Sequence, residues 1–569
     1  MPERMVKRRQ FIKEVGQASL GAAALIFIPG RGHKLNDFDL LIRQAMVVDG
    51  TGRKPFLADV GIKANQIKAI GKIGDRKAGR IIQAQGLYLA PGFVDVHNHT
   101  DVELLVCPTA DSLIRQGITT IVGGNCGSSR FPLKPEMLAE ENKYLREELG
   151  IEADWTDLSG FWRRLRQRGT AINFATLVGQ GTIRAAVVGY NDRQPTANEL
   201  GEMKSLLAEA MGQGAVGLST GLEYAPGSFA STEELIELVK TIQPFNGIYA
   251  THMRDEQDYV LEALDEAITI AEKANVSLEI SHLKVGYPRN WNKIGAVLKK
   301  IDEAAAKGIK IAADVYPYTA FSTGLSVFFP LWAREGKTED FLNRLRSPEL
   351  QSKLEEAISQ AEKNIGSWDK VLIASVRTEK NKRLEGLTLK EAASLENKNV
   401  YNFIRDLLLE ESSQVSMVCF AMSEENLKKI LQHPLTSICT DSELASTSGI
   451  LARGKPHPRY YGSFPRAIAE YVRKQSVLPL EVMIRKMTGL PAEKFRMKNR
   501  GKIKEGMAAD LVLFDFNRLQ DKATWSSPHQ YPEGLPYVIV NGRVVVDNNE
   551  ITGELPGQIL KNEVAKGLI

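Results

Sequence analysis

The stretch Phe93-Val94-Asp95-Val96-His97-Asn98-His99-Thr100-Asp101 places two imidazoles two positions apart at the end of an apolar, alternating run that follows Pro91-Gly92. Such a run reads as a β-strand, and residues two apart on a strand point the same way, so His97 and His99 share a face. Two neutral imidazoles on one face are natural ligands for a divalent metal; without one they would repel when protonated and would need separate partners. The distribution of the other histidines, cysteines and carboxylates decides between these readings.

Apolar strand candidates alternate with helical stretches through the middle of the chain, at residues 94–96, 119–122, 174–178, 215–218, 248–251, 277–280, 309–313 and 436–440. A capping box opens one helix at Ser231 and Glu234, and residues 260–273 carry the 3-4 apolar spacing of an amphipathic helix. Eight βα units predict an α/β fold, a (β/α)8 TIM-like barrel whose chemistry gathers at the C-terminal ends of its strands. Strand one there carries His97 and His99, strand two Asn125-Cys126-Gly127, strand five His252, strand six His282 and strand eight Asp441. One such histidine would read as a core residue. Four histidines, a cysteine and an aspartate on one rim match zinc chemistry, with ligands enough for two ions.

Short strand-like runs fill the flanks, with an Asn541-Gly542 hairpin signal near the end, so residues 36–90 and 500–569 are expected to build one small β-sandwich domain. The barrel then occupies 91–318 and 436–499, and the long gap of 319–435 holds an inserted subdomain at the barrel mouth, a lid or substrate-size filter. The first 35 residues differ in kind. Arg8-Arg9 precedes a modestly apolar run at residues 18–28 that is too short for an ordinary membrane helix, as in a twin-arginine export signal; the alternative is a basic amphipathic helix. The first reading places the protein in the periplasm, the second in the cytoplasm. No membrane contact is expected beyond that segment.

A net charge of +4 and the lack of a basic block with interleaved aromatics argue against a nucleic-acid partner and for a small-molecule substrate. Cys107, Cys126, Cys419 and Cys439 are too scattered for a disulfide framework.

His97-x-His99 at strand one, single histidines at strands five and six, and an aspartate at strand eight resemble the amidohydrolase superfamily. Gly124-Asn125-Cys126-Gly127, Gly217-Leu218-Ser219-Thr220-Gly221-Leu222 and Pro456-His457-Pro458-Arg459 narrow the resemblance to its N-acyl-D-amino-acid deacylases. The resemblance implies that Cys126, His252 and His282 hold a tight zinc, and that His97 and His99 form a second, weaker position bridged by Cys126, with Asp441 as a further ligand. Many relatives bridge their metals with a carboxylated lysine at strand four, whereas residues 215–222 contain none, which argues against the hydantoinase branch. Glu223 is an alternative carboxylate ligand there, though a solvated loop acid is the plainer reading. The resemblance also makes Lys284, Tyr316 and Arg459 a clamp for the substrate α-carboxylate. Glycine would be expected after Asp441, where this chain has Ser442.

The chemistry expected of this set is hydrolysis of N-acyl-D-amino acids by a zinc-activated water, with Asp441 moving the proton to the leaving amine. Cys126 as a nucleophile is the minor alternative, because a zinc-bound thiolate attacks poorly. Hydrolysis of a cyclic amide or dipeptide on the same barrel is the rival activity, and a non-catalytic binding barrel is the rival class.

Overall fold

In the computed structural model, which describes residues 36–564, eight short parallel strands pair in chain order around a barrel. Strand one is Phe93–Asp95, two Ile118–Gly123 and three Asn173–Thr176, which resumes after Leu177 as Val178–Gly179. Strands four to eight are Gly217–Gly221, Ile248–His252, Ser277–Ile280, Ile311–Val315 and Thr436–Ile438. Leu177 switches sides: strands one to three form one sheet, and the continuation of three pairs with four and onward to eight. Closure from eight to one lies beyond the regular strands. There Asp441 N donates to His97 O at 2.9 Å, His99 N donates to Ser442 O at 2.9 Å, and the Asp95 carboxylate takes the Thr440 amide (3.0 Å) and hydroxyl (2.6 Å).

Strands four and seven begin two residues later than their apolar runs predict. Ala215 N bonds Ala210 O and Ile309 N bonds Ala304 O, so these first residues close the preceding helices, Ala197–Gln213 and Ile294–Ala306, past Gly214 (φ +114°) and Gly308 (φ +90°). A glycine-terminated helix uses the next apolar residue to pack back on itself, and that claims it before the strand does. The capping box is half formed: Ser231 Oγ accepts from Glu234 N, while the Glu234 carboxylate turns to the buried Arg184 guanidinium at 3.2 Å.

Val94, Val122, Ala175, Ile248 and Ala250 fill the barrel interior, with Phe495 packed among them; a larger apolar shell joins the strands to the outer helices. The flanks form one nine-stranded sheet. Tyr88–Pro91 from the first flank pairs antiparallel with Leu511–Phe514 from the last, and the sheet forks where Ala78–Gln83 and Tyr88–Pro91 pair with different halves of Phe38–Val47. Asn541 and Gly542 both take positive φ (46° and 79°), as a type I′ hairpin requires.

Between strands seven and eight, Phe321–Gly324, Val371–Ser375 and Ser416–Cys419 make an antiparallel sheet with the last in the middle. Helices including Thr338–Arg346, Gln351–Ile365 and Val400–Glu410 pack with it around Phe329, Phe341, Trp368 and Ile404, a core separate from the barrel's. Among the described residues, no helix is long and apolar enough to cross a membrane. The expected export segment lies outside the described residues.

Candidate metal centre and active site

The turn after strand two is the tightest piece of the site. Cys126 takes φ +50°, and the flanking Gly124 (φ +70°) and Gly127 (φ +75°) take conformations that other side chains rarely adopt. Ser219 of strand four accepts from Gly127 N at 3.0 Å and donates to Gly124 O at 2.5 Å, and a Cβ on Gly221 would stand 2.2 Å from Cys126 O. Asn125 Nδ2 reaches Val122 O at 2.9 Å and the carbonyls of Val96 and Asn98 at 3.3 Å, tying the turn to the segment that carries His97 and His99.

That turn aims the Cys126 sulfur at the histidines. Sγ lies 3.3 Å from His97 Nε2 and 3.5 Å from His282 Nε2. Three donor groups, each with atoms within 4.8 Å of one another, share these residues: His97, His99 and Cys126; Cys126, His252 and His282; His97, His282 and Asp441. Thiolate, imidazole and carboxylate in such proximity are a donor set that suits zinc. Burial opposes a charged thiolate at Cys126, but facing His97 and His282 outweighs it and holds the thiol well below its usual range.

Every predicted site residue enters this cluster or its wall, though some arrive by a different route. Strand one ends at Asp95, so His97 and His99 are brought together by the closure with Ser442 rather than by strand alternation. Lys284 likewise lies beyond strand six, past His282 at φ +35°, and its Nζ comes 2.8 Å from His282 Nδ1. The glycine expected after Asp441 is unnecessary, because Asp441 itself takes the left-handed conformation (φ +48°). Its Oδ1 lies 3.0 Å from His99 Nε2 and its Oδ2 2.7 Å from Arg459 Nη1. Burial resists ionisation of Asp441, yet Arg459 and His282 dominate and keep its carboxyl well below the usual range. The Arg459 guanidinium lies 4.7 Å over the buried Tyr316 ring, and its Nε has no hydrogen-bond partner among the described residues. His457 explains its placement: Nδ1 accepts from Arg459 N at 3.0 Å and Nε2 lies 3.0 Å from Ala320 O, so a neutral imidazole pins the start of helix Arg459–Arg466.

The solvated-loop reading of Glu223 is overturned. Its Oε2 lies 3.0 Å from His252 Nε2, and it forms a fourth donor group with His252 and Glu256. Glu223 stands two residues past the end of strand four, and its neighbour Tyr224 packs edge-on against the His252 ring at 4.9 Å.

Two carboxylates escaped the sequence reading. Glu256, 1% exposed, lies 3.0 Å from His282 Nδ1, 3.7 Å from His252 Nε2, and forms an ion pair with Lys284. Burial opposes its charge, but Lys284, His252 and His282 pull its pKa to about 2. Asp314 on strand seven stands 3.3 Å from His97 Nδ1 and accepts from His282 N at 2.7 Å. A carboxylate on the far nitrogen of a ligating imidazole fixes its tautomer and ring plane. Asp314 left a trace, an acid inside an apolar strand; Glu256, in a loop four residues after His252, left none.

The cluster opens into a chamber of about 550 Å3 bordered by His99, Cys126, His252, His282, Asp441 and Arg459. Residues 80–546 match the model of an amidohydrolase family. The chain is 34% identical to a D-aminoacylase of Alcaligenes xylosoxydans xylosoxydans, covering 93% of this chain and 98% of that protein. It is 33% identical to an N-acyl-D-aspartate deacylase of the same organism, over 92% and 95% of the two chains. The crystal structure of an N-acyl-D-glutamate deacylase from Bordetella bronchiseptica, complexed with zinc and a phosphonate mimic of the tetrahedral intermediate, superposes with TM-score 0.78 at 31% identity, covering 92% of this chain and 99% of that one. With its barrel closed by Asp95 and Ser442 and its rim carrying this donor set, the chain belongs to the amidohydrolase family, in the branch of the D-aminoacylases.

Proposed function

We propose that this protein is a zinc-dependent deacylase of N-acyl-D-amino acids, releasing a carboxylate and a free D-amino acid. The observation that carries the reading is the convergence of Cys126, His252 and His282 beside the buried Asp441–Arg459 pair. In this reading those three residues hold the tighter zinc, and His97 and His99 with Cys126 form a weaker second position. Zinc bound there lowers the pKa of its water towards 7 and polarises the acyl carbonyl.

The remaining work falls to the chain's own residues. Asp441 takes a proton from the attacking water and passes it to the leaving amine. Arg459, Lys284 and Tyr316 hold the α-carboxylate; a substrate anion docking on Arg459 competes with Asp441 for the guanidinium and so frees the base beside the water. Cys126, aimed at two imidazoles, serves as ligand rather than nucleophile. The absence of lysine from residues 215–222 disfavours the cyclic-amide alternative. We read residues 1–35 as a twin-arginine-type export signal.

Zinc-loaded protein assayed on N-acetyl-D-amino acids, their L-isomers, their amides and hydantoins tests the proposal. Losing charge-assisted hydrogen bonds raises KM, so Arg459→Ala is expected to cost roughly 10–100-fold in kcat/KM with kcat less affected. Equal turnover of N-acetyl-D-leucine and its amide, or preference for the L-isomer, refutes the clamp.

A further inference from the structure

The metal chamber is joined by a second cavity of about 770 Å3, and Ser322, Gly324, Ser416, Glu443 and Tyr460 border both. Glu443 is the one charged residue of these five. On the inner wall Arg130 is held by Glu141 at 3.1 Å and Arg459 by Asp441 at 2.7 Å. On the outer wall Arg377 pairs with Glu147 and Lys382 with Glu385, both at 2.9 Å, and Arg453 pairs with Glu148. Every lysine and arginine that borders either space therefore already faces an acid.

The acids are not balanced in the same way. Glu103 and Glu443 border these spaces with no ion pair among the described residues. Glu103 is buried and accepts from Asp101 N at 3.0 Å, whereas Glu443 is exposed where the two cavities meet. It stands two residues past Asp441, so chain length alone keeps the two Cα atoms within about 7 Å. In the proposed reading the substrate's α-carboxylate engages Arg459. A second acid on the substrate then finds no free cation and meets Glu443, while a cation there meets an unpaired carboxylate.

Resting on the deacylase reading, we propose that Glu443 sets the substrate's charge: N-acyl-D-amino acids carrying a positive group are preferred over neutral counterparts of the same shape, and those with an acidic side chain are rejected. The same pairing serves a positive charge on the D-residue's side chain or on its acyl group, and the test separates the two.

Zinc-loaded protein is assayed on three pairs that differ in charge at nearly constant shape. N-acetyl-D-arginine against N-acetyl-D-citrulline reads the side chain, N-(5-aminopentanoyl)-D-leucine against N-hexanoyl-D-leucine reads the acyl group, and N-acetyl-D-glutamate against N-acetyl-D-glutamine reads the rejected acid. We expect kcat/KM to favour the cation roughly 5–10-fold in one of the first two pairs, which identifies the end that reaches Glu443, and to favour the amide by a similar factor in the third. Salt screens a partly solvated pair, so about 1 M potassium chloride is expected to bring these ratios towards one. Glu443→Gln is expected to do the same at low salt, and the salt series decides the matter without a variant. Ratios near one in both cationic pairs, equal turnover of glutamate and glutamine derivatives, or preferences that survive high salt or Glu443→Gln overturn this inference, and turnover of the neutral compounds leaves the deacylase reading intact. No turnover of any neutral compound overturns both.

Discussion

Asp441 is the residue on which most of the site's electrostatics converge. His99 and Arg459 each contact one of its oxygens, and His97 Nε2 lies 3.4 Å from Oδ1. Asp441→Asn keeps the shape but cannot accept a proton, and general acid-base groups are worth about 10²–10⁴ in rate. We expect kcat to fall by that factor while the zinc at Cys126 remains, with metal analysis run on the same preparation; near wild-type kcat would move proton transfer elsewhere. Glu256 offers a different signature. It joins His282, of the candidate metal cluster, to Lys284, the cation of the proposed carboxylate clamp. Glu256→Gln is expected to loosen zinc by roughly 10–100-fold and to erode the preference for a substrate acid over its amide. A variant that loses only thermal stability would reduce Glu256 to a structural role. The clustering of the candidate ligands was legible because histidine, cysteine and aspartate are conspicuous at the ends of apolar runs. Glu256 was not, because its direction is set by the Lys284 ammonium beside it, and for Glu223 the sequence offered a possible ligand without the contact with His252 that decides for it.

At the scale of elements, the alternation that first singled out His97 and His99 is not what brings them together. The pairing of Asp95, Asn98 and Ser442 across the barrel's closing seam does so, and a contact between residues over 340 positions apart leaves no local pattern to read. The Cys126 turn was legible as a motif, but its dependence on strand four was not. Gly221 stands where any Cβ would press on Cys126 O, and backbone cannot swing aside as a side-chain tip can. Gly221→Ala is therefore expected to displace the thiolate while leaving the strands paired. Chelator competition should show zinc affinity reduced about 10–100-fold, the range for disturbing a ligand's support, with unchanged far-ultraviolet circular dichroism. Wild-type zinc retention in this variant would show that the turn yields without moving the sulfur.

For the whole molecule, the sheet at the flanks imposes an order of events. Tyr88–Pro91 has its partner at Leu511–Phe514, more than 400 residues later, and strands one and eight, which lead into His97 and Asp441, are more than 300 residues apart. The flanking sheet is incomplete until nearly all of the chain has been made, and the candidate metal cluster is incomplete until Asp441 has been. Long-range pairing of this kind folds slowly and exposes unpaired edges while it waits. We propose an export route that carries folded protein, which would let the barrel close and take its metal before transfer. Arg8-Arg9 ahead of residues 18–28 has the composition of that type of signal. Changing both arginines to lysine is expected to retain zinc-loaded, active enzyme in the cytoplasm, while the wild-type enzyme is recovered, equally loaded, outside it. Fractionation with both proteins scored for activity and metal decides the matter. Equal cytoplasmic recovery of the two refutes the twin-arginine reading, and exported wild-type protein lacking zinc refutes loading before transfer.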